Sequence, residues 1–173
     1  LRIELLSDDL PVDRWRGHSD TETLLAAIET WGVEQALCKT MGMFAFALWD
    51  REERALYLAR DRMGEKPLYY GWQNGAFLFG SELRAIKAHP QFEGEVDRDA
   101  LALLLRHSYV SAPHSIYKGI YKLLPGTFLK LSLDELRSLK PVPSSVPYWS
   151  LEKVAVAGQE NPFSGDSSSA VRA

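Results

Sequence analysis

The run Met43-Phe44-Ala45-Phe46-Ala47-Leu48-Trp49 is apolar at every position. A β-strand with this pattern presents apolar side chains on both faces, so both faces need to be covered. A charged turn follows over residues 50–54, and a second apolar run occupies residues 55–59. The two runs are therefore predicted to form a hairpin that is buried on both sides.

A second hairpin is predicted a few residues further along the chain. Residues 68–72 and 76–79 are rich in aromatic and aliphatic side chains, and Asn74-Gly75 lies between them. Asn-Gly is the strongest short signal for a tight hairpin turn. A later segment, residues 127–133, alternates apolar and polar positions after Pro125-Gly126, which predicts a half-buried strand.

Helical patterns flank these strands. Ser19-Asp20-Thr21-Glu22 fits a capping box, and apolar residues follow at helical spacing until Gly32 provides a stop. A short second helical stretch is expected over residues 33–39. Further helices are expected over residues 81–88 and after an Asp97 cap. Helices around antiparallel hairpins predict an α+β layered sandwich rather than a parallel sheet.

Composition narrows the classes of protein. The chain has 173 residues, 46% hydrophobic and 25% charged, and a net charge of −3. This balance gives no basic field for nucleic acid, and no apolar run approaches the length of a membrane span. We expect a cytoplasmic protein that binds neither nucleic acid nor membrane. Because the chain begins at Leu1 rather than at methionine, we also expect it to be a piece of a longer gene product.

Several ordered motifs resemble one family. The motifs that carry the resemblance are, in chain order, Ser19-Asp20-Thr21-Glu22, Gly42-Met43-Phe44-Ala45-Phe46-Ala47-Leu48-Trp49-Asp50, Ala59-Arg60-Asp61-Arg62-Met63-Gly64-Glu65-Lys66-Pro67-Leu68-Tyr69-Tyr70, Phe79-Gly80-Ser81-Glu82-Leu83, Ser115-Ile116-Tyr117-Lys118-Gly119-Ile120 and Leu123-Leu124-Pro125-Gly126. Together they resemble the class II glutamine amidotransferase domain of glutamine-hydrolysing asparagine synthetases. The resemblance extends from about residue 14 to residue 149.

The resemblance implies a fold and a chemistry. The fold is the N-terminal-nucleophile-type αββα sandwich, here incomplete at its N-terminal side. In this family an N-terminal cysteine attacks the side-chain amide of glutamine, with its own α-amine as the base. The ammonia passes through a tunnel to a synthetase domain, which uses ATP and Mg to convert aspartate into asparagine. Glutamine and that synthetase domain are the implied partners.

The sequence departs from the family pattern in two places. At its start it has neither the N-terminal cysteine nor the early segment with the Arg and Asn-Gly-Glu glutamine-site motifs of the family. At its end it lacks the pyrophosphate-binding loop of the synthetase domain, which Ser164-Gly165-Asp166-Ser167 matches only in part. We therefore predict a partial amidotransferase domain over residues 1–149 and a linker toward an absent synthetase domain over residues 150–173. The linker is expected to be mobile. By itself the 173-residue chain is expected to be inactive, with no cofactor and no catalytic residue of its own.

Asp20 is the candidate substrate-binding residue. The matching aspartate of the family binds the α-ammonium of glutamine; the alternative is a first-turn carboxylate that favours the helix dipole. Ser19 and Glu22 are interpreted as helix caps. Cys38, the only cysteine, is not expected to be the nucleophile, and the four histidines lack the spacing of metal ligands, so no metal site is predicted.

Several roles stay open at this point. Arg60, Asp61, Arg62 and Lys66 form either a solvated turn or a contact with the synthetase domain, and Ser81-Glu82 is either a helix start or such a contact.

The acceptor of the ammonia is also open, because the family includes amidotransferases of polysaccharide clusters and relatives of β-lactam synthetase. A non-catalytic glutamine-binding or interaction module is the alternative of a different class. Uncovered sheet edges predict a homo-oligomer.

Overall fold

The computed structural model describes residues 15–139 and 141–162. The helices are α1 (Asp20–Lys39), α2 (Leu83–Lys87), α3 (Arg98–His107), α4 (Leu133–Arg137) and α5 (Leu151–Glu160). The strands are β1 (Ala45–Asp50), β2 (Ala55–Arg60), β3 (Tyr69–Gln73), β4 (Ala76–Gly80), β5 (Ile120–Lys122), β6 (Thr127–Ser132) and β7 (Val146–Pro147). Among the helices of this described part, none is long and apolar enough to cross a membrane.

The strands form two antiparallel sheets. One sheet has the order β1-β2-β6-β7, and the other has the order β4-β3-β5. The hairpins β1–β2 and β3–β4 are the two that the sequence predicts, and in the first sheet Leu58 of β2 lies opposite Leu129 of β6. The chain is thus a mixed α+β protein with antiparallel sheets, as the sequence predicts.

The main apolar cluster is built by both sheets. The first sheet contributes Leu56, Leu58, Leu129 and Leu131, and the second contributes the partly buried rings of Tyr70 and Phe77. Leu68 and Leu123, which lie next to β3 and β5 in the chain, complete its centre and are 3% and 0% exposed. Burial of such leucines is the dominant favourable contribution to folding.

Helices cover the opposite faces of both sheets. Leu37 and Val33 of α1 pack against the alternate positions of β2, Ala55, Tyr57 and Ala59. On the second sheet, Ile86 of α2 packs with Leu78 and Ile120. Because both faces of β2 are in contact with other elements, all of its residues are buried.

The prediction that β1 is buried on both faces is wrong. Ala47 and Trp49 are exposed, Trp49 by 44%, although their neighbours Leu58 and Leu56 on β2 lie under the second sheet. Within the described residues β1 pairs with β2 alone, and of its residues on this face only Ala45 packs against the main cluster. Phe79 of β4, 44% exposed, is likewise uncovered.

The prediction of a half-buried strand at residues 127–133 also needs correction. β6 is buried at every position except Lys130 and the partly buried Ser132, because α1 and the second sheet cover its two faces. Leu133 is the first residue of α4 rather than the last of the strand.

The Asp97 cap of α3 is confirmed, since its carboxylate accepts the N–H groups of Asp99 and Ala100.

A helix occupies residues that the sequence patterns leave without structure. α5 begins after Ser150, whose Oγ accepts the Lys153 N–H at 3.4 Å, and every residue of the helix is exposed. The local sequence explains it, because a serine cap precedes good helix formers such as Leu151 and Glu152. The segment 164–167 lies outside the described residues, and the boundary at residue 149/150 remains a prediction.

Candidate functional site

A cleft opens between the start of α1 and the segment that enters β1. Its volume is about 520 Å³. Asp20 and Lys39, from the two ends of α1, line it together with residues 40–44. The residue that the family resemblance singles out, Asp20, therefore faces a cleft large enough for an amino acid.

A break in α1 brings the two ends of the helix to this one cleft. A straight helix of 20 residues is about 30 Å long. At Gly32 the backbone leaves the helical conformation, with φ 77° and ψ 166°, and the second part of the helix takes a new direction. Such a positive φ is readily adopted only by glycine. The stop that the sequence predicts at Gly32 is thus confirmed, and it shapes the cleft.

The first turn of α1 uses two polar side chains for capping and leaves Asp20 available. Ser19 Oγ accepts the N–H of Glu22 at 3.2 Å. The Glu22 carboxylate accepts the backbone N–H groups of Arg16 and Gly17 at 2.6 and 3.0 Å, so it anchors the incoming chain instead of closing the predicted capping box on Ser19. Ser19 is thus the helix cap that the sequence predicts, whereas the prediction that Glu22 caps the helix is wrong, because its carboxylate bonds the backbone that precedes the helix.

Asp20 is exposed on the cleft side of this turn. Within the described part of the chain, none of the hydrogen bonds or ion pairs involves its carboxylate. A carboxylate in the first turn of a helix interacts favourably with the backbone N–H groups there. The position is suited to a cationic group of a ligand, while the assignment to glutamine stays a prediction.

Cys38 lies outside the cleft. Its thiol is exposed and is 3.6 Å from the carbonyl oxygen of Tyr148, while its own carbonyl accepts a hydrogen bond from Arg62 at 2.7 Å. The thiol therefore faces the chain that follows β7, and Asp20 is not among its partners.

The turn between β2 and β3 is not the solvated turn that its charges suggest. Asp61 is 1% exposed and Arg60 is 9% exposed. The two carboxylate oxygens of Asp61 accept the N–H groups of Glu65 and Lys66, each at 2.9 Å. Burial of a charge is tolerated when its hydrogen bonds are all supplied by protein groups, which is what this loop does.

The guanidinium of Arg60 closes the same loop from the other side. It donates to the carbonyl oxygens of Lys66, Leu123 and Gly64 at 2.8, 2.6 and 2.5 Å. Burial lowers the pKa of this guanidinium from its ordinary value, and the nearby Asp61 charge opposes that shift. Arg60 and Asp61 are thus internal structural residues, and a contact of these two side chains with another domain is not needed to explain them.

This buried loop is bonded to the cleft and to the end of β7. The Asp61 N–H donates to the carbonyl of Phe44, which lines the cleft, at 2.9 Å. The hydroxyl of Tyr148 donates to the carbonyl of Arg60 at 2.8 Å, and burial raises the pKa of Tyr148. The cleft wall at Phe44 is therefore held by the loop.

The other open residues lie on the surface. Lys66 is exposed and lines a smaller cleft of about 310 Å³ with Ser81 and Phe44. Glu82 occupies the N-cap position of α2 but makes no side-chain cap bond. The helix-start interpretation of residues 81–82 is confirmed, and their contact with a further domain stays a prediction.

Histidines and acidic residues do not assemble into a metal site in the described part. His18 lines the Asp20 cleft. Within residues 15–139 and 141–162, however, no group of three His, Cys, Asp or Glu side chains could hold a metal ion.

Two residues of this region are missed by sequence reasoning. Lys39 lines the cleft only because α1 bends at Gly32. The sequence predicts a helix stop at Gly32, but it does not predict the angle between the two parts of the helix. Tyr148 lies 88 positions from Arg60, so no local pattern connects them.

Known proteins resemble this chain along most of its length. Residues 2–146 match the family model described as a glutamine amidotransferase domain. The glutamine-hydrolyzing asparagine synthetase 3 of Bacillus subtilis (strain 168) is 39% identical over 145 residues, which cover 80% of this chain and 22% of the relative. A putative glutamine-hydrolyzing asparagine synthetase 2 of Methanocaldococcus jannaschii is 30% identical over 148 residues, 82% of this chain and 28% of the relative.

A third relative carries a different name. The amidase chyE of Penicillium rubens is 32% identical over 136 residues, which cover 79% of this chain and 19% of that protein. The chain thus spans between 19% and 28% of the length of these relatives.

We predict that Asp61→Asn destabilises the protein. The amide has one acceptor oxygen where the carboxylate has two, so one of the N–H groups of Glu65 and Lys66 loses its partner in this part-buried loop. The cost of such an unsatisfied group is about 1–3 kcal/mol of unfolding free energy. Urea denaturation of the variant and the wild type measures it.

Glu65→Gln is the matched control, because it makes the same change on an exposed side chain of the same loop. Its urea midpoint should equal that of the wild type. Equal midpoints for Asp61→Asn and Glu65→Gln would show that the buried carboxylate does not hold the loop.

Proposed function

The chain belongs to the glutamine amidotransferase domain family, and from this we propose that it is part of an asparagine synthetase that takes ammonia from glutamine. The observation that carries the proposal is that Asp20 lines a cleft of about 520 Å³. Among the described residues, its carboxylate has no hydrogen-bond or ion-pair partner. The names of the relatives from B. subtilis and M. jannaschii support the choice of enzyme class.

In the proposed complex Asp20 binds the α-ammonium of glutamine. A hydrogen bond between an ammonium and a carboxylate contributes about 1.5–3 kcal/mol, more than a neutral pair. The contact exists in the ground state and in the transition state alike, so it lowers KM more than it raises kcat. Asp20 is therefore a binding residue in this proposal and takes no part in bond cleavage.

The nucleophile in this proposal is an N-terminal cysteine that is not among the 173 residues. Cys38 is the only cysteine of the sequence and lies away from the cleft that Asp20 lines. The thiol of the N-terminal cysteine attacks the amide carbon, and ammonia leaves. We accordingly propose that the 173-residue chain alone does not hydrolyse glutamine.

The use of the ammonia belongs to a synthetase domain outside this chain. We propose that this domain binds ATP and Mg and activates aspartate, so that attack by ammonia gives asparagine. No residue of the present chain is assigned to that step, and none is proposed to bind a cofactor.

The names of the relatives allow a second kind of acceptor for the ammonia. The P. rubens relative is named an amidase rather than an asparagine synthetase, although it is 32% identical. The same glutaminase step could therefore serve an amidotransferase with another acceptor, such as one of a polysaccharide cluster or a relative of β-lactam synthetase. A non-catalytic module that only binds glutamine is the remaining alternative, and the assay of Asp20 below distinguishes it.

We further propose that the fold is the N-terminal-nucleophile αββα sandwich, incomplete at its N-terminal side. The shared cluster of the two sheets and the helices on their other faces support this. The exposed Trp49 and Phe79 support an incomplete sandwich, because each lies on the same face as core residues of its own sheet.

We predict that the 173-residue polypeptide forms oligomers in solution. Trp49 and Phe79 leave apolar surface open, and burying it against a second copy is favourable. Sedimentation equilibrium should show a dimer or larger species, and the double variant Trp49→Lys/Phe79→Lys should shift the polypeptide toward monomer.

Leu105→Lys is the control, since Leu105 is 79% exposed on α3, outside both sheets. The control should associate as the wild type does. A monodisperse wild-type monomer with a cooperative thermal transition would contradict the expected association.

We predict that Asp20→Ala in the complete enzyme raises KM for glutamine by about tenfold or more, as expected from loss of a charge-assisted hydrogen bond. Synthesis driven by free ammonia should be unchanged, because ammonia does not need the glutamine site. Both activities are measured on the same preparation, together with glutamate release.

Glu34→Ala serves as the control, because Glu34 is exposed on the second part of α1 and does not line the cleft. Equal loss of glutamine-driven and ammonia-driven synthesis in Asp20→Ala would assign Asp20 to folding. An unchanged KM would leave it a first-turn carboxylate, and a wild type that binds glutamine without releasing glutamate would indicate the non-catalytic module.

A further inference from the structure

Residues 39–44 form one wall of the cleft that Asp20 lines, and two neighbouring residues of the loop after β2 bind the two ends of this wall. We propose that Arg62, which binds the start of the wall, is a positioning residue for glutamine. It sets the separation between the wall and Asp20. This inference rests on the proposed function and extends it, because it assigns a role to Arg62 that the sequence leaves open.

Arg62 completes the hydrogen bonding at the end of α1. The last carbonyl groups of a helix have no partner within the helix. Here the carbonyl groups of Ala36 and Leu37 accept the Thr40 N–H at 2.9 and 3.2 Å. The carbonyl of Cys38 accepts a hydrogen bond from Nη2 of Arg62 at 2.7 Å, and the helix dipole favours a cation at this end. The turn that leads into the wall is therefore held by a residue 24 positions further along the chain.

The other end of the wall is bound by the residue next to Arg62. The Asp61 N–H donates to the carbonyl of Phe44 at 2.9 Å, while residues 41–43 between the two attachments are exposed. The carboxylate of Asp61 is buried and accepts two backbone N–H groups of its own loop, which fixes the loop. Arg62 thus joins the start of the wall to a fixed part of the structure.

The break at Gly32 makes such an attachment necessary. Asp20 lies in the first part of α1 and the wall follows the second part, so the angle between the two parts sets their separation. A Cβ atom at Gly32 would have no neighbour within 4 Å, so packing at the break itself does not fix this angle. Leu37 packs the second part against β2, and Arg62 holds its end.

The surroundings of its guanidinium distinguish Arg62 from a solvated turn residue. Its Nε is enclosed and has no hydrogen-bond partner. Among the residues that the structure describes, the Cys38 carbonyl is the one hydrogen-bond acceptor of the side chain, and the centroid of the Trp149 ring lies 6.0 Å from its Cζ. Withdrawing a polar group from water costs free energy, which the contact with the end of α1 helps to offset.

Two other roles for Arg62 make different predictions. A purely structural role changes the stability of the folded protein and leaves the affinity for glutamine unchanged. A contact with the synthetase domain changes ammonia-driven synthesis, or the amount of glutamate released per molecule of product. A positioning role at the cleft raises KM for glutamine and leaves ammonia-driven synthesis and that ratio unchanged.

The experiment uses the complete enzyme and two variants of Arg62. Arg62→Met removes the donor, and Arg62→Lys keeps a cationic donor, which suffices where only one hydrogen bond is made. Arg51→Met is the matched control, because Arg51 is exposed in the turn between β1 and β2 and does not line the cleft. For each protein, glutamate release gives KM and kcat, and ammonia-driven synthesis, the glutamate-to-product ratio and the urea midpoint are measured on the same preparation. Hydrogen exchange followed by mass spectrometry reports on the amides of residues 39–44.

Arg62→Met should raise KM for glutamine about fivefold, with kcat nearly unchanged. Without its attachment the wall leaves its position in part of the molecules, and the apparent affinity falls with the fraction that retains the cleft. The amides of residues 39–44 should exchange faster than in the wild type. Arg62→Lys should recover most of the affinity, and Arg51→Met should behave as the wild type.

An unchanged KM in Arg62→Met would overturn the assignment, and a lowered urea midpoint beside it would leave Arg62 with a structural role alone. A changed glutamate-to-product ratio or a loss of ammonia-driven synthesis would also overturn it, because a positioning residue of the cleft affects neither. If Asp20→Ala raises KM and Arg62→Met does not, only the role of Arg62 fails. If the wild-type enzyme releases no glutamate from glutamine, the proposed function itself fails.

Discussion

The buried carboxylate of Asp61, with the guanidinium of Arg60 beside it, is the constraint on which the rest of the structure depends. Asp61 binds two backbone N–H groups of the loop that follows it, and Arg60 binds three carbonyl oxygens. An isolated charge in such a place would cost several kcal/mol, and it is tolerated here because the backbone supplies its partners. The pair therefore fixes the path of the chain as it leaves β2 for β3, which is also the path from one sheet to the other.

The same loop connects the sheets to the cleft. The backbone of Asp61 donates to Phe44 at the cleft wall, and its carbonyl accepts the Gly126 N–H at 2.9 Å in the turn before β6. Tyr148 adds a bond to the Arg60 carbonyl from beyond β7. The wall of the cleft is thus held by residues distant in sequence, while Asp20 and Lys39 reach it from the two ends of a bent helix. The geometry of the proposed glutamine site depends on both.

Local patterns in the sequence predict much of this architecture. The break at Gly32, the Asn74-Gly75 hairpin and the caps at Ser19 and Asp97 are all decided by neighbouring residues, and all are confirmed. What the sequence does not reveal depends on distant contacts. The charges of Arg60 and Asp61 suggest that these side chains are exposed. The sequence does not reveal their burial, because their hydrogen-bond partners are backbone groups, which leave no sequence pattern. The exposure of Trp49 depends on how far the second sheet extends, and the place of Lys39 depends on the angle of a bend.

Amide hydrogen exchange of Glu65 and Lys66 tests most directly whether the buried Asp61 holds the loop. Because their N–H groups are bonded to a carboxylate that is 1% exposed, we predict protection comparable to that of the amides of β2 and β6, although both side chains are exposed. Exchange of these two amides at the rate of an unprotected loop, with β2 and β6 still protected, would contradict the account.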